Sequence, residues 1–160
     1  MSTQLAPLHM RSGEGKALWG PGDMYTVLVA GEQTGGTVFA MEGLVPPGGG
    51  PPLHVHDRED ETLYILEGEC EVQIGDDRMI ASAGDFVWMP RSIPHRFCNT
   101  GTEQMRLILT FTPAGIERFF DEVFEEADDR TSPPPPTSPE LIRRLVTTAP
   151  RYGLEFFPPA

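Results

Sequence analysis

The sequence predicts an all-β domain, a sandwich or a barrel, with short helices near its C-terminal end. Short β-rich segments follow one another from residue 25 to residue 112, and turn residues separate them. Glycine and proline, at 17 residues each in a chain of 160, are abundant enough for that many turns. After residue 112 the apolar residues recur with the period of a helix instead.

The β-rich part divides into segments that each end at a turn. We expect strands at residues 25–30, 36–45, 53–56, 62–66, 69–74, 78–82, 85–89, 94–99 and 104–112. The segment 46–52 contains only prolines and glycines, and it predicts a rigid turn between the second and third strands.

Two helices are expected beyond the strands. Thr112 is a suitable N-cap with Pro113 at the first helical position, and an apolar stripe then continues to about residue 127. The proline-rich residues 131–139 predict an extended linker, and Ser138 caps a second helix that ends near residue 148. The predicted organisation is a flexible N-terminal arm at residues 1–24, a β-barrel at residues 25–112, and C-terminal helices, Pro-rich linker and apolar tail at residues 113–160.

The charge balance excludes several classes of partner. Lysine and arginine number 12 against 24 aspartates and glutamates, so the net charge is −12. Nucleic acids and anionic membranes need clustered cations, and we expect neither as a partner. Lys16 is the single lysine, which disfavours Schiff-base chemistry and a phosphate-binding lysine.

The sequence predicts a cytoplasmic protein. The first residues lack both a basic region and an apolar region of a secretory signal, and no apolar run reaches the roughly 18 residues of a membrane span. Cys70 and Cys98 lie far apart and form no Cys-x-x-Cys motif, so we expect two reduced thiols.

Three of the four histidines have the spacing of metal ligands. His54 and His56 are two residues apart on a predicted strand, so both rings lie on one face of it. Glu61 follows five residues later, and His95 begins a later strand. Three imidazoles and a carboxylate favour one divalent first-row transition metal ion, with Fe, Mn, Ni, Co, Cu and Zn all compatible. His9 stands without such partners, and we expect it at the surface.

The residues around this first group of ligands have a fixed spacing. Five residues separate Gly48 from His54, and four residues separate His56 from Glu61. Gly68 follows Glu61 after six further residues and marks the end of the next strand.

A second spacing pattern surrounds the third histidine. Gly84, Pro90, Ser92, His95 and Asn99 are separated by five, one, two and three residues. In this pattern and in the preceding one the chain resembles the two motifs of the cupin superfamily. The departure is Ser92, where the family has glycine, so a positive φ is expected at a residue that tolerates it poorly.

The resemblance implies a fold and a metal site. Cupins are small β-barrels of the double-stranded β-helix (jelly-roll) type, usually dimeric, and the resemblance assigns metal binding to His54, His56, Glu61 and His95. The chain is most similar to single-domain quercetin 2,3-dioxygenase-like cupins, which bring a flavonol and O2 together at the metal. In that group the glutamate is both a ligand and a base, which implies the catalytic role for Glu61.

Other residues near the ligands have weaker signals. Glu59 lies on the same face of the predicted strand as Glu61 and is the fallback ligand if the strand is bulged. Together with Asp57 and Asp60, it more simply indicates a solvated acidic turn. The residues expected to face inward near the metal, and so to line a substrate pocket, are Phe39, Met41, Leu63, Ile65, Met89 and Phe97. Aromatic bulk near the barrel is added by Trp88, Phe111, Phe119 and Phe120.

These features favour a metal-dependent dioxygenase that acts on an apolar, aromatic, flavonol-like small molecule with O2. A non-oxidative metal-dependent isomerase or cyclase of a small-molecule pathway fits the same pocket, and a non-catalytic ligand-binding cupin is the third hypothesis. Oxygen consumption with a flavonol separates the first from the others.

A homodimer is expected from the two N-terminal strands. Residues 25–30 and 36–45 carry apolar side chains of both parities, and a small barrel has only one inside. The apolar residues 154–159 are a candidate for the dimer interface. The alternative is a monomer whose tail folds back on its own barrel.

Overall fold

Two antiparallel sheets face each other in this computed structural model, which describes residues 4–159. Residues 1–3 of the expected arm and residue 160 at the end of the tail lie outside the described residues. Within residues 4–159, the chain forms β1 (Ala17–Trp19), β2 (Met24–Val29), β3 (Phe39–Val45), β4 (His54–His56), β5 (Asp60–Glu67), β6 (Glu69–Ile74), β7 (Asp77–Ser82), β8 (Phe86–Met89), β9 (His95–Asn99), β10 (Met105–Thr112), α1 (Glu117–Val123), β11 (Glu125–Glu126), α2 (Pro139–Thr148) and β12 (Leu154–Phe156).

The larger sheet has the order β11-β1-β2-β3-β10-β5-β8, and the smaller sheet has the order β12-β4-β9-β6-β7. This arrangement confirms the all-β jelly-roll barrel with short C-terminal helices. Along β3 and β10 every second side chain is buried, as the period of a strand with one covered face requires. The buried rows of both sheets form one apolar core between them.

The second helix begins where the sequence predicts and the first does not. The Ser138 hydroxyl accepts a hydrogen bond from the backbone N–H of Leu141, and α2 ends at Thr148. The first helix was expected from Pro113, but α1 begins only at Glu117. Gly115 has a φ of 148°, which is incompatible with a helix, so the chain turns there before the helix starts.

The expected N-terminal arm is wrong for its last third. Ala17 and Leu18 are buried, because β1 pairs with β2 on one side and with β11 on the other. Ala17 also packs with Met24 and Leu44 in a small second cluster, which covers part of the outer face of β3. A strand of three residues is too short to show a period in the sequence.

The apolar tail pairs with its own barrel. β12 lies antiparallel to β4, with Leu154 opposite His56 and Phe156 opposite His54. Leu154 is buried and Phe156 is partly buried against the core, so the tail packs on its own barrel. A role of the tail in a dimer interface stays a prediction. Among the residues that the structure describes, no helix is long and apolar enough to cross a membrane.

The structure confirms the positive φ that is expected at Ser92. Its φ is 65°, and among residues 4–159 it is the one residue other than glycine with a positive φ. Its N–H donates a hydrogen bond to the carbonyl of His56, which ties this turn to the end of β4.

We predict that Ser92→Gly stabilises the protein. The left-handed region costs a residue with a Cβ about 1–2 kcal/mol, whereas glycine loses about 0.5–1 kcal/mol more chain entropy on folding. A net gain of up to about 1 kcal/mol would raise Tm by about 2–4 °C for a chain of this size. The control is Ser82→Gly in β7, where φ is negative and the same change should lower Tm. A lower Tm for Ser92→Gly in a thermal melt would contradict the prediction.

Candidate metal centre

The four residues predicted as metal ligands come from three strands of both sheets. His54 and His56 occupy the two ends of β4, and His95 is the first residue of β9, directly opposite His54. Glu61 lies on β5 in the facing sheet, on the inward row of that strand. All four side chains are buried, and the two sheets bring them together between their inner faces.

The three imidazole rings converge on one carboxylate oxygen. Glu61 Oε2 lies 2.9 Å from His95 Nε2, 3.3 Å from His56 Nε2 and 3.6 Å from His54 Nε2. One ligand atom from each of the four residues lies within 4.8 Å of the others. The four side chains are therefore close enough together to hold a metal ion.

The opposite ring nitrogens are held by acceptors outside the cluster. His54 Nδ1 lies 2.8 Å from the carbonyl of Pro52, and His95 Nδ1 lies 2.9 Å from the carbonyl of Ile93. A carbonyl oxygen can only accept a hydrogen bond, so in both rings Nδ1 carries a proton and Nε2 is the nitrogen that faces the cluster. A metal ion at the cluster would be bound through this nitrogen.

Glu59 is buried, which corrects its interpretation as part of a solvated acidic turn. Its side chain is only 2% exposed, and Oε2 lies 3.4 Å from Nδ1 of His56. A carboxylate behind a ligating imidazole orients the ring and raises its basicity. Glu59 thus lies outside the cluster and faces the back of one of its rings.

The charges around the cluster favour a cation. Burial alone would raise the pKa of Glu61, but hydrogen bonds from His54, His56 and His95 hold it well below its usual range. Burial lowers the pKa of His54. Burial would also lower the pKa of His56, but Glu59 and Glu61 raise it to about 9. The carboxylates thus favour positive charge in the core, which a bound metal ion would supply, so the donor set fits such an ion.

A cavity of about 420 Å³ opens beside the cluster. His54, His56 and Glu61 contribute its polar wall, and most of the remaining lining is apolar. Its aromatic residues come from the barrel, from α1 and from the tail, and the phenylalanines among them are Phe97, Phe111, Phe119, Phe120, Phe124, Phe156 and Phe157. A cavity of this size and character suits a small organic molecule.

The predicted pocket residues fall into two groups. Met41 and Phe97 line the cavity. The other four, which are fully buried in the core and do not border the cavity, are Phe39, Leu63, Ile65 and Met89. Strand parity selects the inward face but not the depth, and these four side chains lie where the two sheets pack directly on each other. Trp88 was also expected near the pocket, but it lies on the outer face and is 57% exposed.

Sequence reasoning missed two polar residues and the aromatic contribution of the tail. Asp23 and Tyr25 line the cavity, as do Phe156 and Phe157. The i, i+2 spacing of Asp23 and Tyr25 at the start of β2 is a signal that both face one side. For the tail, only its high apolar content pointed to a covered position.

Comparison with known proteins shows what the chain is similar to. Residues 41–111 match the family model described as a cupin domain. The chain is 27% identical over 143 residues to quercetin 2,3-dioxygenase of Bacillus subtilis, covering 89% of this chain but only 42% of that protein, so it spans less than half of that relative. It is 26% identical to polyketide synthase CurC of Streptomyces cyaneus, covering 66% of this chain and 69% of that protein.

A solved structure supports the fold. The crystal structure of a predicted oxalate decarboxylase from Thermotoga maritima aligns with a TM-score of 0.63 at 22% identity, covering 66% of this chain and 99% of that one. The two-sheet barrel, the ligand spacing and the family match lead to the same conclusion. Residues 41–111 match a cupin domain, and the fold and the ligand spacing of the chain are those expected of a cupin.

Proposed function

We propose that this protein is a metal-dependent dioxygenase that acts on an apolar aromatic, flavonol-like small molecule. The observation that carries the proposal is the cavity, in which a buried three-histidine, one-carboxylate cluster faces a lining of phenylalanines. Similarity to a quercetin 2,3-dioxygenase supports the same reaction class. Buried aromatic walls pack well against flat rings and keep bulk water away from the cluster.

The metal would be held by His54, His56, Glu61 and His95. The donor set suits one divalent first-row ion, with Fe, Mn, Ni, Co, Cu and Zn as candidates. Such an ion would supply Lewis acidity and would bring an oxygen-donor substrate and O2 to one place.

Glu61 would also be the base. Its carboxylate borders the cavity, so a substrate hydroxyl at the cluster lies within its reach. A carboxylate beside a divalent cation is a weak base, and Glu61 would have to loosen from the ion to accept that proton.

A second candidate function is favoured by one comparison. The similarity to polyketide synthase CurC supports a non-oxidative isomerase or cyclase that acts on an aromatic small molecule in the same cavity. The third hypothesis, a ligand-binding cupin without turnover, needs the cavity but not the base.

The deciding experiment begins with elemental analysis of protein purified without added metal. An oxygen electrode then follows O2 uptake with quercetin as substrate. Uptake that depends on both metal and quercetin supports the dioxygenase. Metal-dependent conversion of an aromatic substrate without O2 uptake would replace it with the second candidate, and binding without conversion would leave the third.

We predict that His54→Ala loses the metal and part of the thermal stability. An ion present at 100 times its Kd stabilises the folded state by about 2.7 kcal/mol, which corresponds to a fall in Tm of roughly 5–10 °C. A chelator should lower the Tm of the wild type by a similar amount and leave His54→Ala unchanged. The control His9→Ala removes an exposed histidine and should keep both metal and Tm. Full metal content in His54→Ala would contradict the ligand assignment.

For Glu61→Gln we predict a loss of activity that exceeds the loss of metal. Proton transfer to a placed base contributes about 10²–10⁴-fold to a rate. Activity per bound metal ion should therefore fall by roughly that factor, whereas a residue that is only a ligand would change activity in proportion to metal content. A metal-loaded Glu61→Gln with normal turnover would remove Glu61 as the base.

We infer that the chain acts as a homodimer in the cytoplasm. The cytoplasmic location is supported by Cys70 and Cys98, which are both free thiols. For the dimer, the support is an exposed apolar patch on the outer face of β5 and β8, where Tyr64 lies opposite Phe86 and Trp88 follows two residues later. Phe86 is 64% exposed, and a patch of adjacent exposed aromatic side chains is typical of an interface.

Light scattering at micromolar concentration tests the dimer. The expected mass is twice 17.6 kDa, and Trp88→Ser should shift it toward the monomer. Leu8→Ser, at an exposed apolar residue of the N-terminal segment, is the matched control and should leave the mass unchanged. A wild-type mass near 17.6 kDa would refute the dimer.

A further inference from the structure

Two polar side chains in the cavity take no part in the metal cluster. The Tyr25 hydroxyl donates a hydrogen bond of 2.9 Å to Asp23 Oδ2. Both residues are buried and both border the cavity, with Asp23 only 2% exposed. The other oxygen of Asp23, Oδ1, is buried and has no hydrogen-bond partner among residues 4–159. A buried carboxylate with one unpaired oxygen thus lies at the wall of a largely apolar cavity.

A free buried oxygen of this kind has a physical cost. An unsatisfied polar atom in the interior costs about 1–3 kcal/mol, and more when the group is charged. Burial raises the pKa of Asp23 to about 6, although the hydrogen bond from Tyr25 lowers it. At neutral pH the group is therefore mostly ionised and can only accept hydrogen bonds. It lacks a donor.

The pair lies on a different part of the cavity wall from the metal cluster. Tyr25 is on β2 and Glu61 is on β5, with β3 and β10 between them in the sheet. Neighbouring strands are about 4.8 Å apart, so the backbones of the two residues lie three such spacings apart across the sheet. The wall between them is apolar, with Met41 opposite Leu109. A ligand that reaches both groups must have an apolar body.

The surroundings hold the pair in place. The Tyr25 ring stacks on Phe124, with centroids 5.9 Å apart and planes inclined by 10°. Gly43 lies opposite Tyr25 on β3, and a Cβ there would come within 3.3 Å of the tyrosine ring. The glycine leaves room for that ring. The carboxylate is therefore positioned before any ligand arrives, which reduces the entropy lost on binding.

We propose that Asp23, oriented by Tyr25, is a second polar subsite that accepts a hydrogen bond from a hydroxyl group at the end of the ligand remote from the metal cluster. The proposal rests on the proposed function for the other end of the same ligand. It narrows the substrate class to aromatic molecules with a free hydroxyl on a ring distant from the metal-binding group. A site built to bind a hydroxyl discriminates strongly against analogues that lack it, because its own polar group is then left unpaired.

The test compares two probes with the same two-ring skeleton. 2-Naphthol has a hydroxyl that can donate a hydrogen bond, and 2-methoxynaphthalene has none. Calorimetric titration of the metal-loaded protein at pH 7.5 should show that 2-naphthol binds at least about tenfold more tightly, the effect of a hydrogen bond to a charged acceptor.

Two variants of the pair should change this preference in different ways. Asp23→Asn keeps the size but removes the charge, and the preference should fall to about threefold or less, as expected for a neutral hydrogen bond. Tyr25→Phe removes the hydrogen bond that orients the carboxylate but keeps the charge, so the preference should fall to a value between those of the wild type and Asp23→Asn. A purely structural role for the pair would not produce these different results. Tyr152→Phe removes another tyrosine hydroxyl that donates to a carboxylate, that of Glu122, at a residue that does not line the cavity. It is the matched control and should keep the preference.

The outcomes are separable from those of the proposed function. Equal affinities of the wild type for the two probes, or no binding of 2-naphthol, would overturn the subsite. A preference that stays at about tenfold in Asp23→Asn would place the hydroxyl at the metal cluster and would also overturn the subsite. If Asp23→Asn does not fold, the comparison of the wild type with Tyr25→Phe still tests the subsite. A hydroxyl bound at the metal cluster would leave the preference of Tyr25→Phe unchanged. Failure of O2 uptake with quercetin, alongside an intact 2-naphthol preference, would reject the dioxygenase and keep the subsite.

Discussion

The contact on which this structure depends is the convergence of three imidazole nitrogens on one buried carboxylate oxygen. The histidines belong to the smaller sheet and Glu61 to the larger one, so the contact joins the two halves of the barrel at one point. A lone buried carboxylate is strongly destabilising unless it is paired. The arrangement is therefore possible only where both sheets hold their side chains in register.

The backbone immediately before each histidine contributes to this register. His54 and His95 each hydrogen-bond a carbonyl two residues earlier in the chain, at Pro52 and Ile93. Ser92, in its left-handed conformation, sits beside one of these carbonyls and also donates to the carbonyl of His56. The strained turn and the two ligand strands thus form one connected unit, in which local strain accompanies a site that must be placed accurately.

The C-terminal third of the chain supplies much of the apolar, aromatic wall of the cavity. The β-barrel alone brings the ligands together, but α1, α2 and β12 enclose the cavity beside them. Phe119 packs against both Phe120 and Phe156, so helix and tail share one aromatic wall. Phe156 also lies opposite His54 on the neighbouring strand, which places this wall directly against the metal-ligand cluster. The surroundings of the cluster therefore depend on segments outside the matched cupin residues.

The sequence by itself determined which residues form the cluster and which elements carry them. Alternation along a strand and fixed spacings between turns are local properties, so His54, His56, Glu61, the expected strands and α2 could be predicted without the fold. Burial depth, cavity shape and the path of the tail depend on contacts between distant segments, which no local pattern encodes. Only the tertiary structure could therefore place Glu59 behind His56, leave one oxygen of Asp23 without a partner and bury Leu63 in the core. The tail is a further example. Its apolar composition predicted that it packs against other residues, but only the folded chain shows that it pairs with β4.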